Sequence, residues 1–127
     1  MPDPNAAIIC LLDDDPSVLK ALARLLLSAG WHAKKFSDPA EFLLYVQTHC
    51  TPVVVLDVWM PLMNGLEVQS RLRELSPSTR VIILTGKHDP LVRSTALNGG
   101  ASAFFTKPFD DEEFLTAVRR ALASPAP

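Results

Sequence analysis

Five short apolar runs alternate along this chain with five longer segments of helical period. The runs occupy residues 8–12, 31–36, 53–56, 81–84 and 103–105. The first, third and fourth are continuously apolar and partly β-branched, the composition of strands buried on both faces of a parallel sheet. The second carries His32, Lys34 and Lys35 and suits an edge. In the first helical segment Val18, Leu22, Leu25, Leu26 and Ala29 form the apolar stripe, and Gly30 is the stop signal. The second opens Asp38-Pro39-Ala40-Glu41, a capping-box spacing with proline at the first helical position, and buries Phe42, Leu43 and Val46. The third spans residues 65–75 with Val68, Leu72 and Leu75 inward and Glu67 four residues before Arg71. The fourth begins at Asp89-Pro90 and stops at Asn98-Gly99-Gly100. The fifth opens Asp110-Asp111-Glu112-Glu113 and carries Leu115, Val118 and Leu122, with Arg119 and Arg120 placed for the C-terminal dipole.

Strand and helix alternating five times predict an α/β fold with a parallel sheet and helices on both faces. A length of 127 residues is one domain. Residues 1–123 are read as that domain, and residues 124–127 as a linker stub or frayed tail. The 11 prolines could signal disorder, but 48% hydrophobic residues supply ample core. Pro16, Pro39 and Pro90 each follow an aspartate at a helix start, where the missing N–H is harmless.

Charge and cysteine usage exclude several classes. A net charge of −2 is no footprint for direct nucleic-acid binding. No apolar run approaches the ~18 residues of a membrane span, and Met1-Pro2-Asp3-Pro4 lacks a secretory layout. Cys10 and Cys50 form no CxxC and read as reduced packing residues in a cytoplasmic protein, and His32, His49 and His88 do not cluster.

Chemistry in open parallel sheets gathers at the carboxyl ends of the strands. The first run is followed by Asp13, Asp14 and Asp15, and the third and fourth end in Asp57 and Thr85. The fifth is followed by Thr106-Lys107-Pro108. Asp15 before Pro16 is read as a helix N-cap. Crowding Asp13, Asp14 and Asp57 raises their affinity for protons unless a cation intervenes. A hard divalent cation, Mg²⁺ foremost, suits such oxygens, and Lys107 can meet an incoming anion. Carboxylate, metal, hydroxyl and lysine around one point suit phosphoryl transfer, with a carboxylate as nucleophile. Neither GxxxxGK[ST] nor GxGxxG occurs, so a nucleotide is not the obvious donor.

Leu12-Asp13-Asp14-Asp15-Pro16, Val55-Leu56-Asp57 with Met60-Pro61 and Gly65, Leu84-Thr85-Gly86, and Lys107-Pro108-Phe109 together resemble the motifs of response regulator receiver domains, the CheY-like modules of bacterial two-component systems. The resemblance runs over about residues 7 to 122. It implies a flavodoxin-like (βα)5 fold, a five-stranded parallel sheet of order 2-1-3-4-5. It further implies that Asp57 accepts a phosphoryl group from a sensor histidine kinase. Mg²⁺ would be held by Asp14 and Asp57 directly, by Asp13 mainly through water, and by the backbone carbonyl of Trp59. Thr85 and Lys107 would contact the phosphoryl group, Phe104 would be the switch aromatic, and the Lys107–Pro108 peptide would be cis. The fourth helix, fifth strand and fifth helix would present the switched surface to a partner, a second copy or a C-terminal output domain. Such a module is not an enzyme beyond its own phosphorylation and dephosphorylation.

Trp59, two positions after Asp57, is bulky where many members carry a smaller or polar residue, and Lys87 adds charge two positions after Thr85. With Gly86 they are candidates for tuning the site, and slow self-dephosphorylation is the expectation. Two alternatives stay open on the residues alone. One is a haloacid-dehalogenase-type phosphatase with Asp13 as nucleophile. The other is a pseudo-receiver that binds partners without taking phosphate.

Overall fold

The computed structural model describes residues 7–123, so the expected tail at 124–127 lies outside the described residues. Ten elements alternate: β1 (Ile8–Leu12), α1 (Pro16–Ser28), β2 (His32–Phe36), α2 (Pro39–Val46), β3 (Val53–Asp57), α3 (Gly65–Leu75), β4 (Arg80–Thr85), α4 (Pro90–Asn98), β5 (Ala103–Thr106) and α5 (Asp111–Ala123). The strands pair in parallel in the order β2-β1-β3-β4-β5. This is the flavodoxin-like (βα)5 sheet.

Successive strand residues point to opposite faces, so each central strand feeds two cores. Cys10, Leu12, Val54, Leu56, Val81 and Ile83 meet α2, α3 and α4 on one face. Ile9, Leu11, Val53, Val55, Ile82 and Leu84 meet α1 and α5 on the other. That double burial explains the unbroken apolar runs of β1, β3 and β4. The edge strand β2 keeps His32, Lys34 and Lys35 exposed, and Lys34 lies over the rings of Phe36 and Tyr45.

Helix starts follow their local signals. Asp15, Asp38 and Asp89 each accept a backbone N–H of the first turn, with proline next in the chain. Asp110 accepts from the Glu113 N–H at 2.9 Å. The reciprocal capping box is found at α3, where Asn64 and Glu67 exchange bonds. α1 turns out at Gly30, which adopts φ +91°, a left-handed conformation natural to glycine.

Three inward assignments shift. α1 buries Leu19, Leu22 and Leu26, while Val18 and Leu25 only flank the core. Leu22 and Leu26 are common to the expected and the observed face, and Leu19 takes the buried place given to Val18 and Leu25. Leu75, the last residue of α3, is 38% exposed. Cys50 is exposed and is no packing residue, whereas Cys10 is buried and burial pushes its thiol up to about 11.

Candidate functional site

The parallel register sets the carboxyl ends of β1, β3, β4 and β5 side by side. Leu12 lies opposite Leu56, Asp57 opposite Leu84, and Thr85 opposite Thr106. Asp57 and Thr85 are the last residues of their strands, one position further into the sheet than the apolar runs suggest. Backbone bonds carry the alignment past the strand ends. The N–H groups of Asp13, Val58 and Lys107 donate to the carbonyls of Phe36, Leu84 and Thr85 at 3.2, 3.0 and 2.7 Å. The loop after β3 folds back so closely that the Gly65 N–H donates to the Val58 carbonyl at 2.8 Å, and a side chain at Gly65 would run into the Asp57 carbonyl.

The result is a cleft of about 390 Å³ lined by Asp13, Asp14, Asp57, Trp59, Lys87 and Lys107, among others. Carboxylate oxygens of Asp13, Asp14 and Asp57 lie within 4.8 Å of one another. Asp13 and Asp57 are buried and Asp14 is exposed. Lys107 reaches between the buried pair, with Nζ 3.3 Å from Asp13 Oδ2 and 3.3 Å from Asp57 Oδ1. Asp13 Oδ1 also accepts the Asp15 N–H at 2.9 Å. Burial first, and then the charge of Asp13, push the Asp57 carboxyl up to about 6, against the opposing pull of Lys107. Both Lys107 contacts exceed the 2.7–2.9 Å typical of a charge-assisted bond. One ammonium is divided between two acids.

These hard oxygen donors, one exposed to the cleft and two with a negative-charge excess, fit Mg²⁺ by donor chemistry. The site also has a part that residue spacing does not reveal. Trp59, 44% exposed, donates its indole N–H to the buried Thr85 hydroxyl at 3.0 Å. Lys87 places Nζ 5.0 Å from the centre of the Trp59 ring. Gly86 lines the cleft beside them. Phe104 is partly buried and packs against the α2–α4 core, and the Lys107–Pro108 peptide is cis. Val18 from α1 also lines the cleft; its place in the helical stripe points to the core and conceals this.

Fold and site together define an open α/β protein whose strand ends converge on an acidic rim bridged by a lysine. The chain belongs to the response regulator receiver domain family, whose pattern matches residues 9–119. It is 43% identical over 118 residues to the response regulator TodT of Pseudomonas putida, covering 93% of this chain and 52% of that protein. The chain thus spans about half the length of the curated relatives it matches. Among solved structures it resembles a response regulator receiver protein from Burkholderia phymatum, with 40% identity, a TM-score of 0.82 and coverage of 95% and 98% of the two chains. It also resembles the beryllofluoride-activated NtrC4 receiver domain dimer, with 31% identity, a TM-score of 0.86 and coverage of 91% and 95%. Membership of this family sets aside the haloacid-dehalogenase reading of Asp13-Asp14-Asp15. The protein is a two-component signalling module.

Proposed function

We propose that Asp57 is the phosphoacceptor, taking a phosphoryl group from a phosphohistidine of a sensor histidine kinase. The observation that carries this reading is the placement of Lys107 Nζ at 3.3 Å from Asp57 inside the acidic cleft, with Thr85 on the adjacent strand. With its carboxyl at about 6, Asp57 is largely ionised at neutral pH and retains a basic, nucleophilic oxygen. That oxygen bonds to phosphorus as the phosphorus–nitrogen bond breaks. The imidazole keeps the bonding electron pair, and the product is an acyl phosphate on Asp57. Lys107 neutralises phosphoryl oxygens as they leave the donor, and the Thr85 hydroxyl donates to one of them. Asp14, Asp57 and the Trp59 backbone carbonyl would hold Mg²⁺ directly, with Asp13 acting mainly through water. When bound, Mg²⁺ supplies positive charge to the transferring group.

An Asp57 phosphoryl group adds about −1.5 to −2 charge and three acceptor oxygens, by analogy with other phosphorylated side chains. Thr85 moves toward it, Phe104 follows into the space released, and α4, β5 and α5 present an altered surface. That surface serves a second copy, a downstream partner or a C-terminal output domain, in keeping with relatives about twice as long. Among the described residues no helix is long and apolar enough to cross a membrane, and a cytoplasmic setting suits this role. Trp59 and Lys87 crowd the mouth of the cleft and slow hydrolysis of the acyl phosphate.

The test is phosphorylation with an acyl-phosphate donor and Mg²⁺, followed by peptide mapping. Label on Asp57, lost in Asp57→Asn, is expected. Label on Asp13 overturns the assignment, and no label at all makes the protein a pseudo-receiver. In the labelled protein Trp59→Asn shortens the phosphoryl half-life; an unchanged half-life removes Trp59 from that role.

A further inference from the structure

The Thr85 hydroxyl has one proton to donate and two lone pairs to fill. All three are committed. It donates to the Lys87 carbonyl at 3.2 Å and accepts from the Lys87 N–H at 3.1 Å and the Trp59 indole N–H at 3.0 Å. In this arrangement the hydroxyl has no free proton for a phosphoryl oxygen. Two of these partners lie two residues away in the same loop. The third crosses from the loop after β3 to the end of β4, and it ties together two segments that flank the cleft.

We propose that Trp59 is a positioning residue that holds Thr85 in its unphosphorylated arrangement, and that phosphorylation must break the bond between them. This rests on the assignment of Asp57 and Thr85 given above. The base of the Trp59 loop is fixed, because the Val58 N–H is bound to Leu84 and the Val58 carbonyl to Gly65. The backbone beside Trp59 therefore stays in place when Thr85 moves toward the phosphoryl group. Donation to that group takes the proton from the Lys87 carbonyl, and the movement of Thr85 toward the group draws the hydroxyl away from the indole N–H. Lys87 makes the release responsive to charge. Its ammonium lies over the indole face, and a dianion in the cleft draws it off. The arriving charge thus loosens the ring at the moment when the hydroxyl is recruited. Trp59 opposes the switched state, and its strength sets how much of that state exists without phosphate.

The experiment is a double-mutant cycle on Trp59→Phe and Thr85→Val. Phenylalanine keeps a ring for Lys87 and leaves the backbone carbonyl in place, but it has no N–H. Beryllofluoride, a phosphoryl mimic, is titrated by calorimetry in saturating Mg²⁺. Trp59→Phe is expected to tighten binding about 2- to 10-fold, the net range of a single protein hydrogen bond. In the Thr85→Val background the same change is expected to do nothing. A metal-free readout stands beside it: exchange of the Trp59 indole N–H with solvent, followed by NMR, should accelerate in Thr85→Val. Unchanged or weaker beryllofluoride binding by Trp59→Phe overturns the proposal, as does equal tightening in both backgrounds or an indole exchange rate indifferent to Thr85. If the wild-type chain takes no beryllofluoride, the phosphoacceptor reading fails and the proposal falls with it. Binding by the wild type without the Trp59 effect removes the proposal alone.

Discussion

At the carboxyl ends of the strands Asp13, Asp57 and Thr85 are buried, and toward the amino ends Thr51, Thr79 and Gln69 are buried equally well. The second group is neutral and bonded to nearby carbonyls and hydroxyls. Thr79 Oγ1 donates to the Thr51 carbonyl at 2.7 Å and lies 2.6 Å from Ser76 Oγ, and Gln69 Nε2 donates to the Ala96 carbonyl at 2.9 Å. Each polar atom exchanges water for a protein partner, which contributes modest net stability. The first group carries two like charges and one shared ammonium, an arrangement that raises the proton affinity of Asp57. Every buried side-chain polar atom among the described residues has a partner, so the contrast is one of charge and not of satisfaction. The amino end is arranged for stability, and the carboxyl end holds charge that a cation or phosphoryl group can use.

Removing the shared cation should disturb the carboxyl end most severely. Lys107→Met leaves Asp13 and Asp57 facing each other, and loss of one partner from a buried ion pair is strongly destabilising. Because Lys107 is partly exposed, urea unfolding at pH 7 should show a loss of about 2–4 kcal/mol. The loss should shrink toward pH 4 as Asp57 takes up a proton. A pH-independent loss would show that packing of the lysine stem, not charge, is responsible.

Asp57→Asn acts in the opposite direction. The folded carboxyl titrates at about 6 against 3.8 for the reference value, so between these the folded chain binds more protons than the unfolded one. Stability therefore falls as pH rises through that window, and the cost is complete above about 6. In chelator at pH 7 the variant should be about 1–3 kcal/mol more stable than wild type, with the gain vanishing below pH 4. A gain over wild type of the same size at both pH values would place the strain elsewhere.

Thr79→Val at the amino end should cost about 1–2 kcal/mol, because it removes a hydroxyl that joins Ser76 to the Thr51 carbonyl. The cost should be the same at pH 5 and pH 8, and Mg²⁺ affinity by calorimetry should not change. A shifted Mg²⁺ affinity would mean that the two ends are coupled through the sheet.

Local signals made much of this legible. Apolar runs and helical stripes mark ten elements because strand and helix periods follow directly from backbone geometry. Asp15, Asp38 and Asp89 mark helix starts because a cap is made within three residues. The Asn64-to-Glu67 spacing carries an equally local signal, a cap residue followed three positions later by glutamate, that would have found the α3 box. The stripes are less exact about facing, as Leu19 and Leu75 show, since the surface a helix buries depends on the elements packed against it. Trp59 is the plainest case of what is hidden. Its bulk beside Asp57 is visible in the chain, but its bond to Thr85 spans 26 positions and two loops.

A parallel α/β fold and the polar residues at its strand ends follow from local patterns, because alternation, capping and turn chemistry act between near neighbours. How the charges are shared follows from long-range packing. Lys107 meets Asp57 across 50 residues and Asp13 across 94, and the raised carboxyl of Asp57 exists only where burial and those charges coincide. Electrostatic energy depends on distance through a low-dielectric interior, and the fold sets that distance.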